Sequence, residues 1–153
     1  MARRFTAIKI HGEKVTLKWM TTHGPNNQIQ KHEINNGAEA APAMVDAMAS
    51  LRPFATETAA EFTKGQRTQT TVKGITIAYD DDGRRKVTFQ VSRKVKAGAM
   101  NSNTPAMLEK TDHEQKGTKL IDDDTMKNIE TLIEQANKYV EGERAQTSLT
   151  EEL

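Results

Sequence analysis

The chain has 153 residues, no cysteine and a formal net charge of +1. That length is the usual size of one domain and suffices to bury a core without covalent staples. The lack of cysteine excludes disulfides and thiolate metal sites, and suits a reducing compartment. No apolar run approaches the roughly 18 residues of a membrane-spanning helix, and the basic start MARRF is followed by an alternating segment rather than the apolar core of a signal peptide. The small net charge hides a division. Residues 1–100 carry 16 Lys+Arg against 9 Asp+Glu, a net of +7, whereas residues 101–153 carry 6 against 12, a net of −6. A basic body and an acidic C-terminal part result, and the two can pair with each other in the fold.

Residues 5–10 and 15–20 alternate as two strands, with Ile8 and Ile10 in phase on the first and Val15, Leu17 and Trp19 on the second. Gly12 in the connection can supply the positive φ of a tight hairpin turn. TTHGPNN at 21–27 is loop chemistry, and residues 28–34 form a third strand of weaker alternation. Ala41, Met44, Val45, Met48 and Leu51 fall on one stripe of a helix spanning 38–51. Pro42 fits its first turn, where a missing N–H costs nothing, and Pro53 ends or kinks it. A further helical stretch covers 54–62.

The second hairpin is the clearest element. Ile75, Ile77 and Tyr79 share one face of a strand over 72–79, Asp80-Asp81-Asp82-Gly83 makes the turn, and Val87, Phe89, Val91 and Val95 share one face of a strand over 85–96. Such alternation marks an antiparallel sheet with one solvated side. Residues 97–120 lack periodicity and read as a long loop, in which Met100 and Met107 are available to dock a partner. Asp122-Asp123-Asp124 then opens a helix, since carboxylates at the N-cap and first turn complement free N–H groups and the helix dipole. Met126, Ile129, Leu132, Ile133, Ala136 and Val140 make its apolar stripe. Gly142 is expected to end it. The fold class is therefore α+β: an antiparallel sheet built from two β-hairpins packed against two α-helices, one domain over 1–142 with a flexible tail over 143–153.

Catalytic chemistry finds little support. The two aspartate triplets read as turn and helix-start chemistry, without the spaced ligands of a calcium loop. A zinc site from His11, His23 and His32 would require three loops or strand ends to converge, and His113 has no histidine at helical spacing. No serine stands in a GxSxG elbow, and GQRTQTT at 65–71 lacks the terminal Gly-Lys-Ser/Thr of a phosphate loop. A non-enzymatic protein with no cofactor and no metal is expected.

The charge pattern points instead to a polyanion. Arg84, Arg85, Lys86, Arg93, Lys94 and Lys96 fall in a stretch without an acid, and Lys9, Lys14 and Lys18 lie out of phase with the core residues of the first hairpin. If both hairpins join one sheet, a basic face rich in Thr and Gln results. The nucleic-acid-binding residues expected on it are Lys86, Arg93, Lys94, Lys96, Arg84, Arg85 and Lys18, each cation releasing a counterion as it meets a phosphate. The alternative is a solvated face, or one covered by the acidic last helix. Trp19, Tyr79 and Phe89 share phase with core aliphatics, so stacking platforms are lacking. Only Phe5, out of phase with Ile8 and Ile10, is expected to project outward.

Three segments carry a family resemblance: TVKGITIAY at 71–79, Asn103-Thr104-Pro105, and YVEGERAQ at 139–146. Together they resemble small uncharacterised proteins of tailed bacteriophages and prophages, mainly over residues 71–146. The resemblance carries over no activity residue by residue. It implies a phage product acting in the bacterial host cytoplasm, either as an accessory protein binding nucleic acid, single-stranded DNA above all, or as an inhibitor of host antiviral defence that binds a defence protein or its nucleotide signal. No membrane partner is expected, and a homo-oligomer stays open.

Overall fold

A computed structural model of the chain describes residues 3–12, 14–62, 70–80, 83–95, 97–109 and 120–152, with side chains at all of these except 36, 59–62, 94, 95 and 143–152. The strands are β1 (Arg4–His11), β2 (Lys14–His23), β3 (Gln28–Glu39), β4 (Thr70–Tyr79), β5 (Arg85–Val95), β6 (Gly98–Asn103) and β7 (Met107–Leu108). The helices are α1 (Pro42–Ala49), α2 (Arg52–Phe62) and α3 (Asp123–Glu152). The strands form one antiparallel sheet in the order β3-β2-β1-β4-β5-β6, with β7 also pairing with β5. The architecture is thus α+β, helices packed on an antiparallel sheet.

Both expected hairpins are present, and a pairing of β1 with β4 joins them through Ala7–Thr76, Ile8–Ile75 and Lys9–Gly74. Gly12 turns the first at φ +61°. At the second, Asp80 is turn chemistry: Gly83 N–H donates to its carbonyl at 2.9 Å and Arg84 N–H to its Oδ1 at 2.7 Å. Asp81 and Asp82 lie outside the described residues.

One face of the sheet is the core. Ile8, Val15, Leu17, Ile75, Val87 and Phe89 are fully buried there, with Met44, Leu51, Ile129 and Leu132 from the helical side. Each such side chain contributes on the order of 1.5–3 kcal/mol through area removed from water. Register shifts in β1 and β4 decide which of their residues reach this face. Between Phe5 and Ala7 the register of β1 on β2 slips by one residue, so Phe5 faces Trp19 while Ala7 faces Lys18. Phe5 therefore does not project outward: it is 0% exposed, packed 5.9 Å from Trp19. Alternation counted across the bulge predicts the wrong face because the extra residue, Thr6, inverts the phase. A second slip between Val72 and Gly74 brings both Val72 and Ile75 into the core and leaves Lys73 exposed at the bulge.

The stretch over 97–120 is not one unstructured loop. β6 pairs with β5 from Val95–Gly98 to Gln90–Asn103, and β7 resumes on the same strand at Val87–Met107. Between them Thr104 bridges the gap. Its N–H donates to the Phe89 carbonyl at 2.9 Å, its Oγ1 accepts the Phe89 N–H at 3.0 Å, and its hydroxyl donates to the Pro105 carbonyl at 3.1 Å. The Asn-Thr-Pro motif is thus a side chain replacing a backbone rung of the ladder. Met107 is buried, whereas Met100 is largely exposed.

Pro42 opens α1, and the chain breaks at Ser50 before α2, whose first turn accommodates Pro53. Met44, Met48 and Leu51 are buried as the stripe requires, but Val45 is 45% exposed, lying at the stripe's margin. Asp122 caps α3: its Oδ2 accepts the Thr125 N–H and its Oδ1 the Thr125 hydroxyl. Met126, Ile129, Leu132, Ala136 and Val140 are buried on α3, and Ile133 is half-buried. Tyr139 ties the helix to β3 by donating to the Ala38 carbonyl at 2.6 Å. The helix does not stop at Gly142; it runs on to Glu152, through the stretch expected to be a tail. A glycine in an exposed helix interior costs only about 1 kcal/mol.

Candidate nucleic-acid interface

The second face of the sheet is polar. Cross-strand register sets its rows. Lys9 faces Thr16 on one side and Gly74 on the other; Gly74 faces Gln90, and Gln90 faces Asn103. In the next row Glu33 faces Lys18, Lys18 faces Ala7, Ala7 faces Thr76 and Thr76 faces Thr88. Lys18, Lys31, Lys73 and Lys86 are exposed here, and Lys9, Thr16, Thr76, Thr88, Gln90 and Ser92 are half-exposed.

Gly74 shapes this surface. A Cβ there would stand 2.8 Å from the Ile8 carbonyl oxygen, 2.8 Å from Lys9 Cγ and 2.9 Å from Gln90 Oε1, so two neighbours lean over a residue that must lack a side chain. Beside it lies a groove of about 610 Å³ lined by Lys9, His11, Lys73, Gln90, Asn101 and Asn103, among others. Its chemistry is two ammonium groups with side-chain amides, which donate and accept in one plane. A second groove, of about 500 Å³, lies over β2 and β3 and includes Lys18, Lys31 and Glu33.

The cations expected from the sequence separate into two groups. Lys86 and Lys18 stand on the polar face, Lys18 in a loose pair with Glu33 at 3.8 Å. The three arginines do not join them. Arg84 donates from Nε and Nη2 to the Glu109 carbonyl at 3.1 and 2.8 Å. Arg85 bonds Glu109 Oε2 at 2.6 Å and reaches Glu130 of α3 at 3.0 Å. Burial acts to lower the Arg85 pKa, but the bonds to Glu109 and Glu130 outweigh it and hold the group above its ordinary range. Arg93, also engaged with a partner, faces the buried Thr70 across the ladder. The physical reason is period two: Arg85 and Arg93 share the phase of Val87, Phe89 and Val91, and the acidic elements lie on that side. The Lys94 side chain and the whole of Lys96 lie outside the described residues, as do His113 and residues 65–69.

Lys9, one of the groove's cations, was legible in the sequence as a residue out of phase with Ile8 and Ile10. Lys73, Asn101 and Asn103 were not, because one sits at a bulge and the others on a strand with no alternation of burial. Trp19 and Phe89 are buried in the core, and Tyr79 donates to the Phe5 carbonyl at 2.8 Å. Burial raises the Tyr79 pKa, partly countered by the charges of Arg85 and Arg4. Among the described residues no three His, Asp or Glu side chains gather as metal ligands, and no helix is long and apolar enough to cross a membrane. No family model, curated protein or solved structure matches the chain.

Proposed function

We propose that this chain is a non-enzymatic accessory protein that binds nucleic acid, single-stranded DNA in preference, along the open face of its sheet. The phage resemblance gives the setting: a phage product working in the bacterial host cytoplasm. The observation that carries the reading is the groove in which Lys9 and Lys73 accompany an amide-rich wall, with Lys18, Lys31 and Lys86 on the same face. The lysines meet phosphates, and the amides meet exposed base edges. With the core aromatics buried, stacking supplies little, so affinity rests on charge and falls steeply with salt.

The test is fluorescence anisotropy with labelled single strands and duplexes across a salt series. Lys9→Gln and Lys73→Gln are each expected to make the log–log salt slope shallower by about 0.7, the value of one phosphate contact on a single strand. Lys127→Gln, an exposed lysine of α3, leaves the slope unchanged. Absence of binding at low salt, or binding indifferent to salt, overturns the reading.

A second reading has its own support. A concavity of about 610 Å³ lies within the roughly 300–1,000 Å³ range of small-ligand sites. An inhibitor of host defence that sequesters a nucleotide signal would use the same lysines and amides. Tight binding of a free cyclic nucleotide, with no binding to strands, favours it.

A further inference from the structure

We propose that His23 and His32 form a binding site for a divalent late transition metal ion such as Zn²⁺, Ni²⁺ or Cu²⁺, apart from the Lys9–Lys73 groove. Alternation along β2 puts Trp19, Thr21 and His23 on one side of the strand. On β3, His32 stands opposite Trp19 and Gln30 opposite Thr21. His23 therefore follows Thr21 along its own strand, and His32 stands diagonally across from it on β3. His23 Nε2 lies 2.7 Å from Thr21 Oγ1 and His32 Nε2 2.8 Å from the same oxygen, so both ring nitrogens converge on one point.

A threonine hydroxyl carries one proton. It goes to one imidazole lone pair, and the second imidazole, in its other tautomer, donates its N–H to the oxygen, so the hydroxyl holds both rings turned toward one point. A metal ion between the rings takes the lone pairs of both nitrogens, each imidazole then carrying its proton on Nδ1. Imidazole is a preferred ligand of Zn²⁺, Cu²⁺ and Ni²⁺, with metal–nitrogen bonds of about 2.0–2.1 Å for zinc. That is shorter than the present contacts, so the ion draws the rings inward as the Thr21 side chain rotates its hydroxyl out from between them. His32 is already oriented: its ring stacks on Trp19 with centroids 5.4 Å apart and planes 13° from parallel, a fixed first ligand of the kind that strengthens metal sites. Both histidines are half-exposed, which leaves a path for the ion. With two protein nitrogens, water or an added ligand fills the remaining coordination positions. His11 is not part of the site, since it lines the groove on the other face.

Trp19 is the only tryptophan of the chain and lies against His32, so its emission reads the site directly. The experiment titrates the full chain, prepared without a histidine tag, with Ni²⁺ while following Trp19 fluorescence, and then adds Zn²⁺. The expected result is saturable quenching at one equivalent, reversed by Zn²⁺. His23→Ala weakens it more than about tenfold, since even indirect partners of a metal ligand are worth that much; His11→Ala leaves it unchanged. His32→Ala also removes the stack on Trp19, so the decisive variant is His23→Ala, whose fold is checked by circular dichroism, with His23→Gln as a second substitution should the alanine chain fail to fold. Quenching that rises linearly without saturation, or saturates equally in the folded His23 variant, overturns the proposal.

Discussion

Thr104→Val isolates the hydroxyl that stands in for a backbone rung. Thr104 is 7% exposed, and its Oγ1 is the acceptor of the Phe89 N–H at 3.0 Å, beside a fully buried residue in the middle of β5. Valine keeps the shape and β-branching and replaces the oxygen with a methyl group. The Phe89 N–H then loses its acceptor in a place without water, at a cost of about 1–3 kcal/mol. The added methyl returns up to about 0.8 kcal/mol, so the net loss is about 1–2 kcal/mol. Serine makes the opposite exchange: it keeps the acceptor and loses one methyl, about 0.8 kcal/mol. Urea unfolding followed by Trp19 emission resolves the two. At a slope of about 1.5 kcal/mol per molar, the midpoint falls by about 1 M for valine and about 0.5 M for serine. Exchange of the Phe89 amide hydrogen accelerates in the valine variant alone. A valine variant as stable as the serine variant, or more so, would show that the hydroxyl is not the element that closes the ladder.

Gly74→Ala drives a Cβ to 2.8 Å from the Ile8 carbonyl oxygen; it is expected to cost about 1–3 kcal/mol and to weaken strand binding by displacing Lys9 and Gln90, and wild-type values in both the urea and anisotropy assays would refute this. Glu109→Gln is expected to destabilise by about 1.5 kcal/mol through its charge-assisted bond to Arg85. Glu130→Gln costs less than about 1 kcal/mol, because that carboxylate is 58% exposed, and the reverse order in unfolding experiments would contradict the assigned roles. Tyr79 keeps its proton longer in the fold than in the unfolded chain, since burial raises its pKa above 10.0. Its stabilising contribution is therefore complete below pH 10 and is lost as pH rises through the folded value. Tyrosinate absorbance, taken as the difference from Tyr79→Phe, should titrate above 10.0, and a midpoint at or below that value would refute the burial argument.

The two hairpins, the apolar stripes of the helices near 38–51 and after Asp122, and the partition of Val87, Phe89 and Val91 from Lys86, Thr88 and Gln90 are all legible in the amino-acid order. Those features depend on local periodicity and turn chemistry, which are written in consecutive residues. The remaining features arise from packing between distant segments. Phe5 is in the core because a bulge adds Thr6 to its strand. Residues 98–103 and 107–108 are sheet because β5 offers them an edge and Thr104 spans the gap, neither of which leaves an alternating pattern. Arg84, Arg85 and Arg93 left the expected site, and Lys73, Asn101 and Asn103 entered the groove, since which charges meet carboxylates is fixed by strand order and by where the final helix lies. Two histidines nine positions apart meet at Thr21 through β2–β3 pairing. A chain encodes the phase of each strand locally, but its neighbours are set by packing, and binding sites are made of neighbours.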